Sequence, residues 1–138
     1  MLADNLKQVQ EQIASALDKR KNKDLLTGDK VTLVAVTKNH PPEIITDIEA
    51  LGIANVGENR VQEMTEKLAE DAYTGAPLHF IGHLQTNKVR QVVGKVDLIQ
   101  SVDSPELLAM IEKRAAMQDT VQDILCLLYT SPSPRDYA

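Results

Sequence analysis

Two rhythms of apolar residues run along the chain. Leu2, Leu6, Val9, Ile13 and Leu17 are spaced by four, three, four and four, which predicts an amphipathic helix over residues 2–22. A polar stretch, KRKNKD, follows, and a turn around Thr27-Gly28-Asp29. Its cations suit a solvated helix end. From residue 31 the rhythm changes, and short apolar runs alternate with helical patterns. The predicted strands are Val31–Thr37, Ile53–Gly57, Leu78–Gly82, Asp97–Val102 and Gln122–Leu127. The predicted helices between them are Pro42–Leu51, Arg60–Asp71, Thr86–Val93 and Pro105–Met117. Ser104-Pro105 reads as an N-cap followed by proline at the first helical position, with Glu106 in the first turn. Gly52, Gly75 and Gly94 punctuate helix ends.

The strand runs begin at 31, 53, 78, 97 and 122, a βα repeat whose apolar strands predict a parallel sheet. A doubly wound open sheet and a (β/α)8 barrel both fit this order. No GxGxxG follows the first strand, so the dinucleotide fingerprint is absent. A whole barrel needs roughly 200 residues or more. The chain has 138. The expectation is an α/β fold: a partial TIM-type barrel of the first four to five βα units, plus an N-terminal helix. Residues 1–125 are expected to form that unit. The composition breaks at CLLYTSPSPRDYA, and residues 126–138 read as a tail foreign to the fold.

Composition narrows the classes. Aromatic residues are 3% of the chain, with one phenylalanine, Phe80, so the core must be aliphatic. The net charge of −5 argues against a general nucleic-acid binder. A single cysteine, Cys126, cannot close an internal disulfide and suits a reducing compartment. The opening MLADNLKQVQEQ has no apolar core of a secretory signal, and no apolar run approaches the ~20 residues of a membrane span. A cytoplasmic protein is expected, with neither nucleic acid nor membrane as partner.

In parallel α/β folds the carboxyl ends of the strands share one edge, and ligands bind there. The first predicted strand ends on Lys38, the second on Gly57-Glu58-Asn59, the third on Gly82-His83, the fourth on Ser101-Val102-Asp103. An ammonium pushed out of water at a strand end loses charge, and the free amine attacks carbonyls. The other reading of Lys38 is a lysine that reaches out to solvent. Glu58 and Asn59 also suit the start of the following helix, with Asn59 capping. His79 reads as a core histidine, and His83 as either a ligand contact or a loop residue. Asn87-Lys88 suits a phosphate contact less well than a solvent-facing helix start. The histidines lack a companion cluster at metal-ligand spacing, so no metal is expected.

Four motifs occur in order along these segments: LVAVTKNHPPE, VGENRVQE, LHFIGHLQTNK and SVDS. Together they resemble the pyridoxal phosphate homeostasis proteins, related to the amino-terminal barrel domain of alanine racemase. The resemblance covers residues 31–104, and more loosely the leading helix and residues 105–125. It implies that the lysine ending the first strand, here Lys38, forms the internal aldimine with pyridoxal 5′-phosphate. It also implies that Asn59 and His83 lie near the cofactor. Members are expected to be monomeric single-domain barrels that carry the cofactor and regulate vitamin B6 and amino-acid balance, without established catalytic turnover. The family's later Ser-Met-Gly-Met and Arg-Ile-Gly segments, which supply phosphate and ring contacts, have no counterpart here. The chain therefore resembles a truncated barrel that keeps the covalent lysine without the phosphate cup, and is expected to bind the cofactor poorly. Alternatives are a racemase-like enzyme, a cofactor-free Schiff-base aldolase and an inactive fragment. A racemase needs a second acid/base group, and Tyr73, Tyr129 and Tyr137 are poorly placed for it.

Overall fold

The computed structural model describes residues 1–20 and 31–127. The chain divides after Leu33 into two units. In the first, α1 (Leu2–Lys19) is the helix that the four-three-four-four spacing predicts. Leu6, Ile13 and Leu17 are its half-buried stripe. Asp4 in the first turn and Lys19 in the last oppose the helix dipole. The turn expected at Thr27-Gly28-Asp29 lies outside the described residues, as does the tail from residue 128.

The second unit alternates strands and helices: β1 (Val34–Val36), α2 (Glu43–Ala50), β2 (Asn55–Glu58), α3 (Val61–Ala69) and β3 (Leu78–Phe80). A 3-10 helix (Thr86–Gln91), β4 (Leu98–Val102), α4 (Pro105–Met117) and β5 (Asp123–Cys126) follow. The five strands form one sheet in the order β1-β2-β3-β4-β5, every neighbouring pair parallel. The order never reverses, whereas a doubly wound sheet reverses at its switch point. Crossovers of one hand then carry the connecting helices to one face of the sheet.

Register shows which face that is. Ala35 pairs with Val56, Val56 with Leu78, Glu58 with Phe80, and Phe80 with Ile99. These residues share the helix-covered face, where Val56, Phe80 and Ile99 are fully buried with Ile45 of α2 and Met64 of α3. Burying each such side chain contributes about 1.5–3 kcal/mol. The opposite face carries Val34, Asn55, Gly57, His79 and Leu98, paired in the same way. It is more open: Val36 is 46% exposed, and Val34, Asn55 and Leu98 are half-buried.

Local signals account for the boundaries. The Ser104 hydroxyl accepts the Leu107 N–H at 3.1 Å, with Pro105 opening α4, as predicted. Gly52, at φ 87°, takes the left-handed turn after α2. Three expectations change. The run Val31–Thr37 is not a buried strand: only Val34–Val36 pairs, and among the described residues β1 is an edge with one neighbour. Likewise β5 is an edge, and Leu125 and Leu127 stay exposed. The helix expected over Thr86–Val93 is a 3-10 helix, which sets Val89 and Val92 three apart on one buried line. Among the described residues no helix is long and apolar enough to cross a membrane.

Candidate functional site

The ladder between β1 and β2 ends at Thr37, whose N–H donates to the Gly57 carbonyl at 3.0 Å. Beyond it the chain turns through Lys38 and Asn39 into α2. Asn39 adopts φ 62°, the left-handed region that asparagine tolerates better than most residues. The His40 N–H closes the turn onto the Thr37 carbonyl at 3.3 Å. Lys38 projects from this turn, exposed, and among the described residues it makes no hydrogen bond or ion pair. The desolvated amine expected from the sequence is not what these residues build. Among the described residues β1 pairs with β2 alone, and no second strand flanks the residue that follows it.

A second lysine takes the buried place. Lys67, on α3, is 4% exposed, and its Nζ donates to Glu58 Oε1 and to the Thr37 carbonyl, both at 2.8 Å. It also reaches Glu63 Oε1 at 3.1 Å, one turn back on the same helix. Thr37 Oγ1 and the Tyr73 hydroxyl, at 2.9 Å, donate to the same Glu58 oxygen. Three donors thus converge on Oε1, while Oε2 is buried without a partner. Glu63 Oε1 in turn accepts the Asn39 N–H at 2.6 Å.

The protonation equilibria follow from these contacts. Burial acts on Glu63 to raise its pKa. The hydrogen bonds from Lys67 and Asn39, with the charges of Lys67 and Arg60, outweigh that and hold it below its ordinary 4.5. Burial and the neighbouring Glu58 carboxylate push the Tyr73 hydroxyl well above the usual tyrosine range.

The other predicted residues are distributed along the carboxyl edge. Asn59 and His83 line a common cavity of about 260 Å³ with Arg60, Gln62, Gln85 and Lys88. Gly82 is required beside it, because a Cβ there would lie 2.0 Å from the Asn59 carbonyl oxygen. His83 is 73% exposed and lies 3.6 Å from the Asp103 carboxylate, linking the ends of β3 and β4. Lys38 sits on the same edge but does not line that cavity. His79 is a satisfied interior histidine: Nε2–H donates to Asn55 Oδ1 at 3.0 Å, and Nδ1 accepts from Gln100 Nε2 at 2.8 Å. Larger cavities lie along α4, one against the 3-10 helix and one against the start of β5.

Several expectations are corrected here. Glu58 does not face the edge with Asn59; strand alternation turns it to the helix-covered face. Asn59 does not cap α3, whose N-cap is Arg60 without a side-chain bond. Ser101 is buried, and Asp103, just past the end of β4, is the residue that reaches His83. Sequence reading missed Lys67, and weighed Tyr73 only as an acid/base group. A signal was present: Val61, Met64 and Lys67 recur every three residues, which places a cation on the buried stripe of α3. Among the described residues no group of three His, Cys, Asp or Glu could hold a metal.

No family model matches the chain. The chain is similar to curated proteins. It is 44% identical over 93 residues to the pyridoxal phosphate homeostasis protein of Aquifex aeolicus, covering 67% of this chain and 41% of that one. It is 35% identical over 105 residues to that of Escherichia coli K12, covering 74% of this chain and 43% of that one. Among solved structures, PipY of Synechococcus elongatus PCC7942 with pyridoxal phosphate bound matches at TM-score 0.66 and 34% identity, over 90% of this chain and 55% of that one. An unknown protein from Bifidobacterium adolescentis matches at TM-score 0.73 and 33% identity, over 89% of this chain and 53% of that one. The chain thus spans about half the length of the proteins it matches.

Proposed function

We propose that this chain, kin to the pyridoxal phosphate homeostasis proteins, is the Lys38-bearing part of a pyridoxal 5′-phosphate carrier. We read β1 to β5 as consecutive strands in the wall of a (β/α)8-type barrel, because their order never reverses. The observation that carries the functional reading is the contrast between two lysines at one strand end. Lys67 is locked into an ion pair, whereas Lys38 presents an amine with no partner among the described residues.

When bound, the cofactor supplies an aldehyde that a primary amine can take covalently, and a phosphate that needs cationic or N–H partners. The residues present fit part of that demand. Lys38 offers the amine at the β1 end. Arg60, Lys88 and His83 surround the neighbouring cavity with donors suited to an anion, and Asn59 forms its rim. The exposed thiol of Cys126 fits a reducing, cytoplasmic setting. A carrier suits the site better than a racemase. Tyr73, the tyrosine among the described residues, already donates its proton to Glu58 and resists ionisation.

Incubation with pyridoxal phosphate, borohydride reduction and peptide mapping test this. The expected adduct lies on Lys38 and disappears in Lys38→Ala. Equal labelling of all exposed lysines, with Lys38 not preferred, would remove the reading.

A further inference from the structure

We propose that Glu63, anchored by Lys67, is the positioning residue for Lys38. The proposal rests on the reading of Lys38 as the attachment amine. Glu63 and Lys67 stand one turn apart on α3 and are joined at 3.1 Å. Between them they hold both residues flanking Lys38. Lys67 Nζ takes the Thr37 carbonyl at 2.8 Å, and Glu63 Oε1 takes the Asn39 N–H at 2.6 Å. Among the described residues the sheet does not do this work, because the ladder stops at Thr37 and β1 pairs with β2 alone. Asn39 also occupies the left-handed region, and its N–H is the one that Glu63 accepts.

The cluster has a second consequence for Lys38. Glu63 accepts the N–H of Asn39, the residue next to Lys38. Lys67 and the Asn39 N–H occupy its Oε1, and among the described residues the Lys38 amine has no ion-pair partner. An ion pair that buries its lysine is a poor device for stability alone, since apolar residues of similar size serve as well or better. Its value here is directional: two charged side chains aim at the two peptide groups that bracket one amine.

In the attachment step the Lys38 nitrogen adds to the aldehyde carbon, water leaves, and a carbon–nitrogen double bond remains. Borohydride delivers hydride to that carbon and makes the link permanent. The test uses the full chain, pyridoxal phosphate as probe, and Glu63→Ala beside Glu63→Gln, which keeps an acceptor for the Asn39 N–H. Amide exchange at Asn39 reads the clamp without any ligand, and the rate of trapped Lys38 reads the consequence. Glu63→Ala is expected to speed Asn39 exchange and slow trapping about tenfold, with Glu63→Gln restoring most of both. Faster exchange with an unchanged trapping rate overturns the positioning role. Asn39 exchange unchanged in Glu63→Ala overturns the clamp itself. A wild-type chain whose Asn39 is protected but whose Lys38 is never trapped shows instead that the attachment reading has failed, and the positioning role falls with it.

Discussion

The helix-covered face of the sheet and its carboxyl edge each hold a lysine, in opposite states. On the covered face Lys67 is surrounded by two carboxylates, a carbonyl and a donor network shared with Thr37 and Tyr73. At the edge Lys38 is exposed and has no partner among the described residues. Burial forces a charge to find partners, whereas exposure lets a charge remain available. The first region is therefore where stability is at risk, and the second is where chemistry is open. Substitutions should separate the two.

The largest expected effect is Lys67→Met. It leaves Glu58 buried without its counter-charge, and urea denaturation should show a loss of about 3–5 kcal/mol. Combining it with Glu58→Leu should recover most of that loss, because an apolar pair has no unpaired charge. A Lys67→Met chain as stable as wild type would dissolve the contrast. Next comes Tyr73→Phe, which removes one of the three donors to Glu58 Oε1. An equilibrium melt should lose about 1.5 kcal/mol, the usual range for a hydrogen bond to a charged group.

Glu63 gives a pH signature of smaller size. Its folded pKa lies below the ordinary 4.5, so its contribution to stability is complete above 4.5. That contribution is lost as pH falls through the lower folded value. Urea midpoints of wild type and Glu63→Gln should therefore differ most near neutrality and converge in acid. A gap that widens on acidification would contradict the assigned bonds. The smallest effect belongs to Lys38→Ala, which should alter stability by less than about 0.5 kcal/mol while abolishing labelling at that position. A larger loss would mean that the edge lysine is part of the packing after all.

Much of this architecture was legible in residue spacing. The predicted helices Pro42–Leu51, Arg60–Asp71 and Pro105–Met117 contain α2, α3 and α4. Strand runs were recognised but overextended, as at Val31–Thr37, because an apolar run does not say where pairing stops. Asn59 and His83 were placed on one edge by the repeat, and a shared cavity joins them. Glu58 was misplaced. Its alternation points it away from Asn59, and which face is covered depends on the direction in which the crossovers wind.

The sequence alone determined the βα rhythm, the N-cap at Ser104 and the position of Lys38 just after the first strand. Each depends on residues a few positions apart, and local periodicity records such relations. Tertiary structure alone decided the strand order, the edge position of β1 and which lysine became buried. The partners of Lys67 include Thr37, 30 residues away, and Glu58, nine away. No local pattern encodes such meetings, because the cost of burying a charge is settled only when distant segments bring it a counter-charge.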